Sequence, residues 1–124
     1  MNQKNIFTAI AAILVLQGIA FFLLGDQMIT GTYPDVAEPG HTALLQLLQV
    51  PSALSILIGL ITYANRTTPN ITWAYTIGTG VLLGVTLKHM FMDHVNVPMA
   101  AAIIQVLIFL ACGYLWSQEK KVRS

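Results

Sequence analysis

The sequence predicts an all-α protein, a bundle of four transmembrane helices, and two observations lead to that prediction. Hydrophobic residues make up 56% of the 124 residues and charged residues only 9%, whereas a soluble domain has about 25% charged residues. The chain also contains four apolar stretches near the length of about 20 residues that a helix needs to cross a bilayer. This composition excludes a soluble globular domain and a disordered chain, and the length indicates a single domain, residues 1–124.

The four predicted spans follow one another with little sequence between them. They cover residues 6–24, 42–64, 71–92 and about 97–116. The first is predicted to be a retained helix rather than a signal peptide, because it is long and no A-x-A-like cleavage site follows it. The long connection before the second span is predicted to be a loop with turns, because it is rich in turn-forming residues. These residues are Gly31, Pro34, Pro39 and Gly40.

Basic residues determine the predicted orientation. With four spans, both termini and the connection at 65–70 lie on one side of the membrane. That side contains five of the six basic residues, namely Lys4, Arg66, Lys120, Lys121 and Arg123. Only Lys88 lies on the other side. Because basic residues concentrate on the cytoplasmic side, both termini are predicted to be cytoplasmic, in a multi-pass protein of a bacterial-type cytoplasmic (inner) membrane.

The side predicted to be external collects the side chains that bind soft metals. The candidate ligands are His89, Met90, Met92 and His94, with His41 or Met28 from the long connection. Thioether and imidazole groups together favour soft metals, a copper(I) ion above all. Two sulfurs two residues apart lie on one side of an extended chain. A site of this kind therefore requires the third helix to end near Met90.

An ordinary polar helix end is the competing interpretation of the same residues. If the helix runs through Asp93, the side chains of His89 and Asp93 are four residues apart and share a face. Lys88 then extends to the headgroups along its aliphatic stem. The backbone at this point decides between a metal site and a polar helix end.

Glutamines inside the spans indicate a polar layer. Gln17, Gln49 and Gln105 are predicted at one depth, about 10–12 Å below the outer boundary, and Gln46 lies one turn above Gln49. Since amides in hydrocarbon need partners, they are expected to face the bundle interior. One interpretation is an outward-open cavity for a small polar ligand, with the histidines, Lys88 and Asp93 at its rim. The alternative is hydrogen bonding of the glutamines between helices.

Small residues predict where helices pack. Gly80 and Gly84 lie on one stripe of the third span, and Ser52, Ser55 and Gly59 lie on one face of the second. Small residues let backbones approach closely in a membrane. The two stripes are expected to face each other, and a homo-oligomer through Gly80 and Gly84 is the alternative.

Several chemistries are absent from the sequence. It contains no G-x-x-x-x-G-K-[ST], H-E-x-x-H or G-x-S-x-G motif, so no catalytic residue is predicted. The single cysteine, Cys112, excludes an internal disulfide and a multi-cysteine metal cluster. The net charge of +1 gives no general attraction to nucleic acid.

A resemblance to one family concerns the outline of the chain. After the first helix comes an outer loop with Tyr33-Pro34, and the second helix ends in Leu57-Ile58-Gly59-Leu60. In these features the chain resembles the DoxX-like small four-helix membrane proteins of bacteria. It departs from them at Gln46 and Gln49, where that group is expected to have a charged residue. The resemblance implies a subunit of a quinone-linked or redox-stress complex, and it assigns no site residue.

Three functional hypotheses follow. The leading one is a non-catalytic accessory or interaction subunit in the bilayer, because the loops are short and no catalytic constellation is present. The second is an outward-facing binding protein for a soft metal or a small polar ligand. The third is a subunit of a quinone- or haem-linked complex, which requires histidines deep enough in the bundle to hold a cofactor.

Overall fold

A computed structural model describes residues 2–94, 97 and 99–123 of the chain. These residues form five α-helices: α1 (Gln3–Leu23), α2 (Gly25–Thr32), α3 (Gly40–Ala64), α4 (Thr72–Phe91) and α5 (Met99–Arg123). The same residues contain no strand. The predicted all-α class is therefore confirmed for the described part of the chain.

Three of the helices are long and apolar enough to cross a membrane. They are α1, α3 and the part of α5 from Met99 to Val122, a pattern that indicates a multi-pass membrane protein. Within the described residues, α4 is not among them. Its threonines and the pair Lys88-His89 near its end lower its apolar character.

The connection between α1 and α3 is not the loop that its glycines and prolines predict. Its first half, Gly25–Thr32, is the short helix α2, so that prediction is wrong for these residues. Asp26 lies in the first turn, where a negative charge favours a helix. Ile29 is buried, and a Cβ on Gly25 would lie 3.1 Å from the side chains of Leu45 and Leu48. Packing against α3 therefore stabilises α2 despite its weak helical propensity.

Lys4–Arg66 form the first of two compact units. In this unit α1 and α3 are antiparallel and their backbones approach closely. A Cβ on Gly18 would lie 2.6 Å from the carbonyl oxygen of Ser52, and one on Gly59 would lie 3.0 Å from that of Ala11. The hydroxyl of Ser55 donates to the carbonyl oxygen of Leu14 over 2.7 Å. The stripe of Ser52, Ser55 and Gly59 therefore packs on α1, whereas the sequence predicts that it faces the third span.

The second unit consists of Thr67 onward with the first residues of the chain through Gln3. Here α4 and α5 are antiparallel, because Thr72 contacts Glu119 at one end and Thr86 contacts Gln105 at the other. Between them, a Cβ on Gly80 would lie 3.0 Å from the ring of Phe109. Gly80 therefore packs within its own chain, while a Cβ on the exposed Gly84 would have no described atom within 4 Å.

Candidate functional site

The glutamine of α5 lies between two helices. The side-chain oxygen of Gln105 accepts a hydrogen bond from the hydroxyl of Thr86 on α4 over 2.6 Å. Thr86 is buried and Gln105 is half-buried. Of the two interpretations of the glutamines, interhelical hydrogen bonding therefore describes Gln105.

The glutamines of α3 have a different environment. Gln46 and Gln49 are exposed, and the prediction that they face the bundle interior stays a prediction. Being three residues apart, they share a face of the helix. They line an open groove of about 440 Å³ together with apolar side chains. We call this surface the glutamine face, and its residues on α3 are Gln46, Gln49, Val50, Ala53, Leu54 and Leu57.

The glutamine face is otherwise strongly apolar. Val50 is 61% exposed and Leu57 is 51% exposed, and Phe22 of α1 adds an aromatic ring to the same groove. Helix α3 contains no Asp, Glu, Lys or Arg. Among the described residues of their own unit, neither Gln46 nor Gln49 has a side-chain hydrogen-bond partner. The two carboxamides are therefore open polar groups on an apolar surface.

The remaining members of the predicted cavity are divided between the two units. Gln17, which is half-buried, belongs to the first unit with Gln46 and Gln49. Gln105, Lys88 and Asp93 belong to the second. A cavity that uses all six residues stays a prediction.

The C-terminal end of α4 is an ion-paired helix end. The ammonium of Lys88 lies 3.1 Å from the carboxylate of Asp93, and Nε2 of His89 lies 3.8 Å from it. The backbone N–H of Asp93 donates to the carbonyl oxygen of Lys88 over 3.1 Å, which closes the last turn. His94 follows with a φ of 53°. The structure therefore brings together Lys88, His89 and Asp93, although α4 ends at Phe91 and does not run through Asp93 as the polar-helix-end interpretation predicts.

Four of the candidate metal ligands lie at the same end of α4 and just beyond it. Helix α4 ends at Phe91, close to Met90 as a metal site requires, and Met92 follows as its C-cap with φ and ψ of −100° and −43°. In such backbone, residues two apart point about 200° apart, so Met90 and Met92 diverge. Met90 is half-buried and Met92 is 71% exposed. The described residues contain no group of three or more His, Cys, Asp or Glu placed to hold a metal ion, and a copper site stays a prediction.

His41, the fifth candidate ligand, has a carboxylate partner of its own. Its Nε2 contacts a carboxylate oxygen of Asp26 in α2. One residue further along α3, the hydroxyl of Thr42 donates to the carboxylate of Glu38 over 2.5 Å. The pair of Asp26 and His41 was missed by sequence reasoning. The two residues are 15 apart in the sequence and a connection separates them, so no local spacing indicates that they pair. The only sequence feature that they share is the predicted side of the membrane.

Two further polar contacts lie at the helix ends predicted to be cytoplasmic. The carboxylate of Glu119 accepts a hydrogen bond from the buried hydroxyl of Thr72 over 2.6 Å. The ammonium of Lys120 lies 4.2 Å from the centre of the Trp116 ring, a cation–π contact. Basic and aromatic side chains together are typical of the interface between hydrocarbon and headgroups.

Comparison of the chain with protein-family models, with curated proteins and with solved structures finds no match.

Proposed function

We propose that the chain is a four-span protein of a bacterial-type cytoplasmic membrane, with both termini cytoplasmic, and that it is a non-catalytic interaction subunit. The observation that supports an interaction role most directly is the glutamine face. It presents the carboxamides of Gln46 and Gln49 outward from an apolar helix.

Helix α4 supplies the fourth span in this proposal. Its 20 residues extend about 30 Å, the thickness of the hydrocarbon core. The threonine hydroxyls that lower its apolar character are bonded. Thr76 donates to the carbonyl oxygen of Thr72, and Thr79 donates to that of Tyr75. Such hydroxyls do not need water, and the remaining polar pair, Lys88 and His89, lies at the end of the helix.

The depth of the glutamines makes their exposure costly. Gln46 and Gln49 lie four and seven residues beyond the predicted span start at residue 42, which places them about 6 and 10 Å along α3 below the outer boundary. At that depth lipid offers no hydrogen bonds, and an unsatisfied polar group costs several kcal/mol. A second protein with a hydrogen-bonding group at the same depth would remove that cost. Other polar side chains already join helices within a unit, as Ser55 joins α3 to α1, so within its own unit the glutamine face is the polar surface left for a partner.

A photo-crosslinking experiment tests this proposal in native membranes. A photoreactive residue at Ala53, in the centre of the glutamine face, should crosslink to a protein. The same residue at Ile58, exposed and turned about 140° from Ala53 on α3, is the matched control. The crosslink at Ala53 should weaken in the Gln46→Leu, Gln49→Leu variant and persist in Gln27→Leu, whose glutamine lies on α2. Equal crosslinking at Ala53 and Ile58, or a product with lipid alone, would contradict an interaction role for this face.

A further inference from the structure

We propose that the occupant of the glutamine face is a second copy of this chain, an inference that rests on the interaction role proposed above. The two copies would meet through α3 about a two-fold axis perpendicular to the membrane. Each copy contributes the same face, so the interface is isologous.

Depth matching favours a second copy over an unrelated partner. Copies of one chain insert with the same orientation, since the same basic residues orient them. Equivalent residues on either side of a two-fold axis along the membrane normal therefore lie at equal depth. Gln46 and Gln49 of one copy then meet a layer of glutamines in the other. An unrelated helix would need a polar residue placed independently at that depth.

The chemistry of the carboxamide is also self-complementary. Each glutamine side chain has an oxygen that accepts hydrogen bonds and an NH₂ group that donates them. Two such groups can satisfy each other reciprocally, which a pair of carboxylates or a pair of ammonium groups cannot do. The absence of Asp, Glu, Lys and Arg from α3 means that no charge repulsion along this helix opposes the contact.

The shape of the face suits a close helix pair. Ala53 lies one turn below Gln49 and exposes only a methyl group between the larger side chains of Val50 and Leu57. A small residue at this position lets two helices approach. Phe22 and Leu57 would then close the flanks of the groove of about 440 Å³ against the second copy.

The test uses the purified full-length chain in lipid vesicles, with Cys112 replaced by alanine. In this background Ala53→Cys should form an intermolecular disulfide on oxidation with copper–phenanthroline, whereas Ile58→Cys should not. The dissociation constant, measured by energy transfer between labelled copies, should rise about tenfold in Gln46→Leu, Gln49→Leu. Gln46→Asn, Gln49→Asn keeps the amides and should recover part of the affinity. Unchanged helical circular dichroism in all variants separates lost association from lost folding.

Three other outcomes would overturn the proposal of a second copy, and they differ in what they imply for the interaction role. A chain that stays monomeric in vesicles, while Ala53 crosslinks a different protein in native membranes, excludes the second copy and leaves the interaction role standing. A dimer crosslinked at Ile58 or Gly84 but not at Ala53 excludes this face. A monomer whose Ala53 contacts only lipid in native membranes excludes both proposals.

Discussion

Thr86 of α4 donates a hydrogen bond over 2.6 Å to the side-chain oxygen of Gln105 on α5. At the opposite end of the same helix pair, Thr72 donates over 2.6 Å to the carboxylate of Glu119. Each end of the α4–α5 pair therefore has a hydroxyl matched to one acceptor. Since polar groups in hydrocarbon have few alternative partners, two such bonds determine how far one helix is shifted along the other.

Removal of the bond between Thr86 and Gln105 should destabilise the chain modestly. Thr86→Val keeps the shape of the side chain but leaves the Gln105 oxygen without its donor. Interhelical hydrogen bonds in membranes contribute about 0.6 kcal/mol on average, and at most about 1.7 kcal/mol. We expect a loss within that range in the free energy of unfolding in mixed micelles. Gln105→Leu should cost a similar amount, and the double variant should cost less than the sum. Strict additivity would contradict a direct interaction.

Gly18, where α1 contacts α3, should be the position at which one added methyl group lowers the free energy of unfolding most. In Gly18→Ala the new Cβ would lie 2.6 Å from the carbonyl oxygen of Ser52, a distance that forces the two backbones apart. Overpacking of this kind costs about 1–3 kcal/mol. Gly78→Ala is the matched control, since its Cβ would meet no described atom within 4 Å. Alanine is more favourable than glycine in a helix by up to about 1 kcal/mol. Equal unfolding free energies in the two variants would show that α1 and α3 are not in close contact.

The sequence predicts the long helices well because their signal is local. Each of α1, α3 and α5 contains an apolar stretch long enough to detect without knowledge of its neighbours. Helix α5 continues to Arg123, beyond the predicted span end at residue 116, since a hydropathy limit marks hydrocarbon and not the end of helical backbone. Helix α2 has only 8 residues, two of them glycines, too few for an apolar period to be visible.

The candidate site was less predictable because side-chain pairing depends on rotation about each helix axis. The depth of Gln105 could be counted from the sequence, but its partner Thr86 could not be identified without the packing of α5 against α4. The same limit applies to Gln46 and Gln49, which are exposed and whose predicted position in the bundle interior stays a prediction. At the end of α4 the backbone meets neither interpretation in full, because the helix ends at Phe91, near the limit that a metal site requires, and does not run through Asp93, as the polar helix end requires.

Labelling of single cysteines tests the proposed topology. In a Cys112→Ala background, Asp35→Cys should react with a membrane-impermeant maleimide on intact cells. Thr68→Cys should react only after the membrane is opened, because the proposed orientation, with the basic residues on the cytoplasmic side, places that connection inside. Lys121→Cys is the control for the C-terminus and should behave like Thr68→Cys. Reaction of the cysteines at 35 and 68 from the same side would show that α3 does not cross the membrane as proposed.

The contact between Asp26 and His41 should hold α2 against the start of α3. Asp26→Ala removes the carboxylate that contacts Nε2 of His41. Because the side chain of Asp26 is 73% exposed, the pair should stabilise α2 by the amount typical of a surface ion pair, about 0.2–1 kcal/mol. Amide hydrogen exchange in α2 should therefore become faster by up to about fivefold, because local opening is in equilibrium with the closed helix. Asp35→Ala, an exposed acid in the same connection, is the matched control and should leave exchange in α2 unchanged. Equal acceleration in both variants would mean that α2 responds to the charge of the connection and not to its contact with His41.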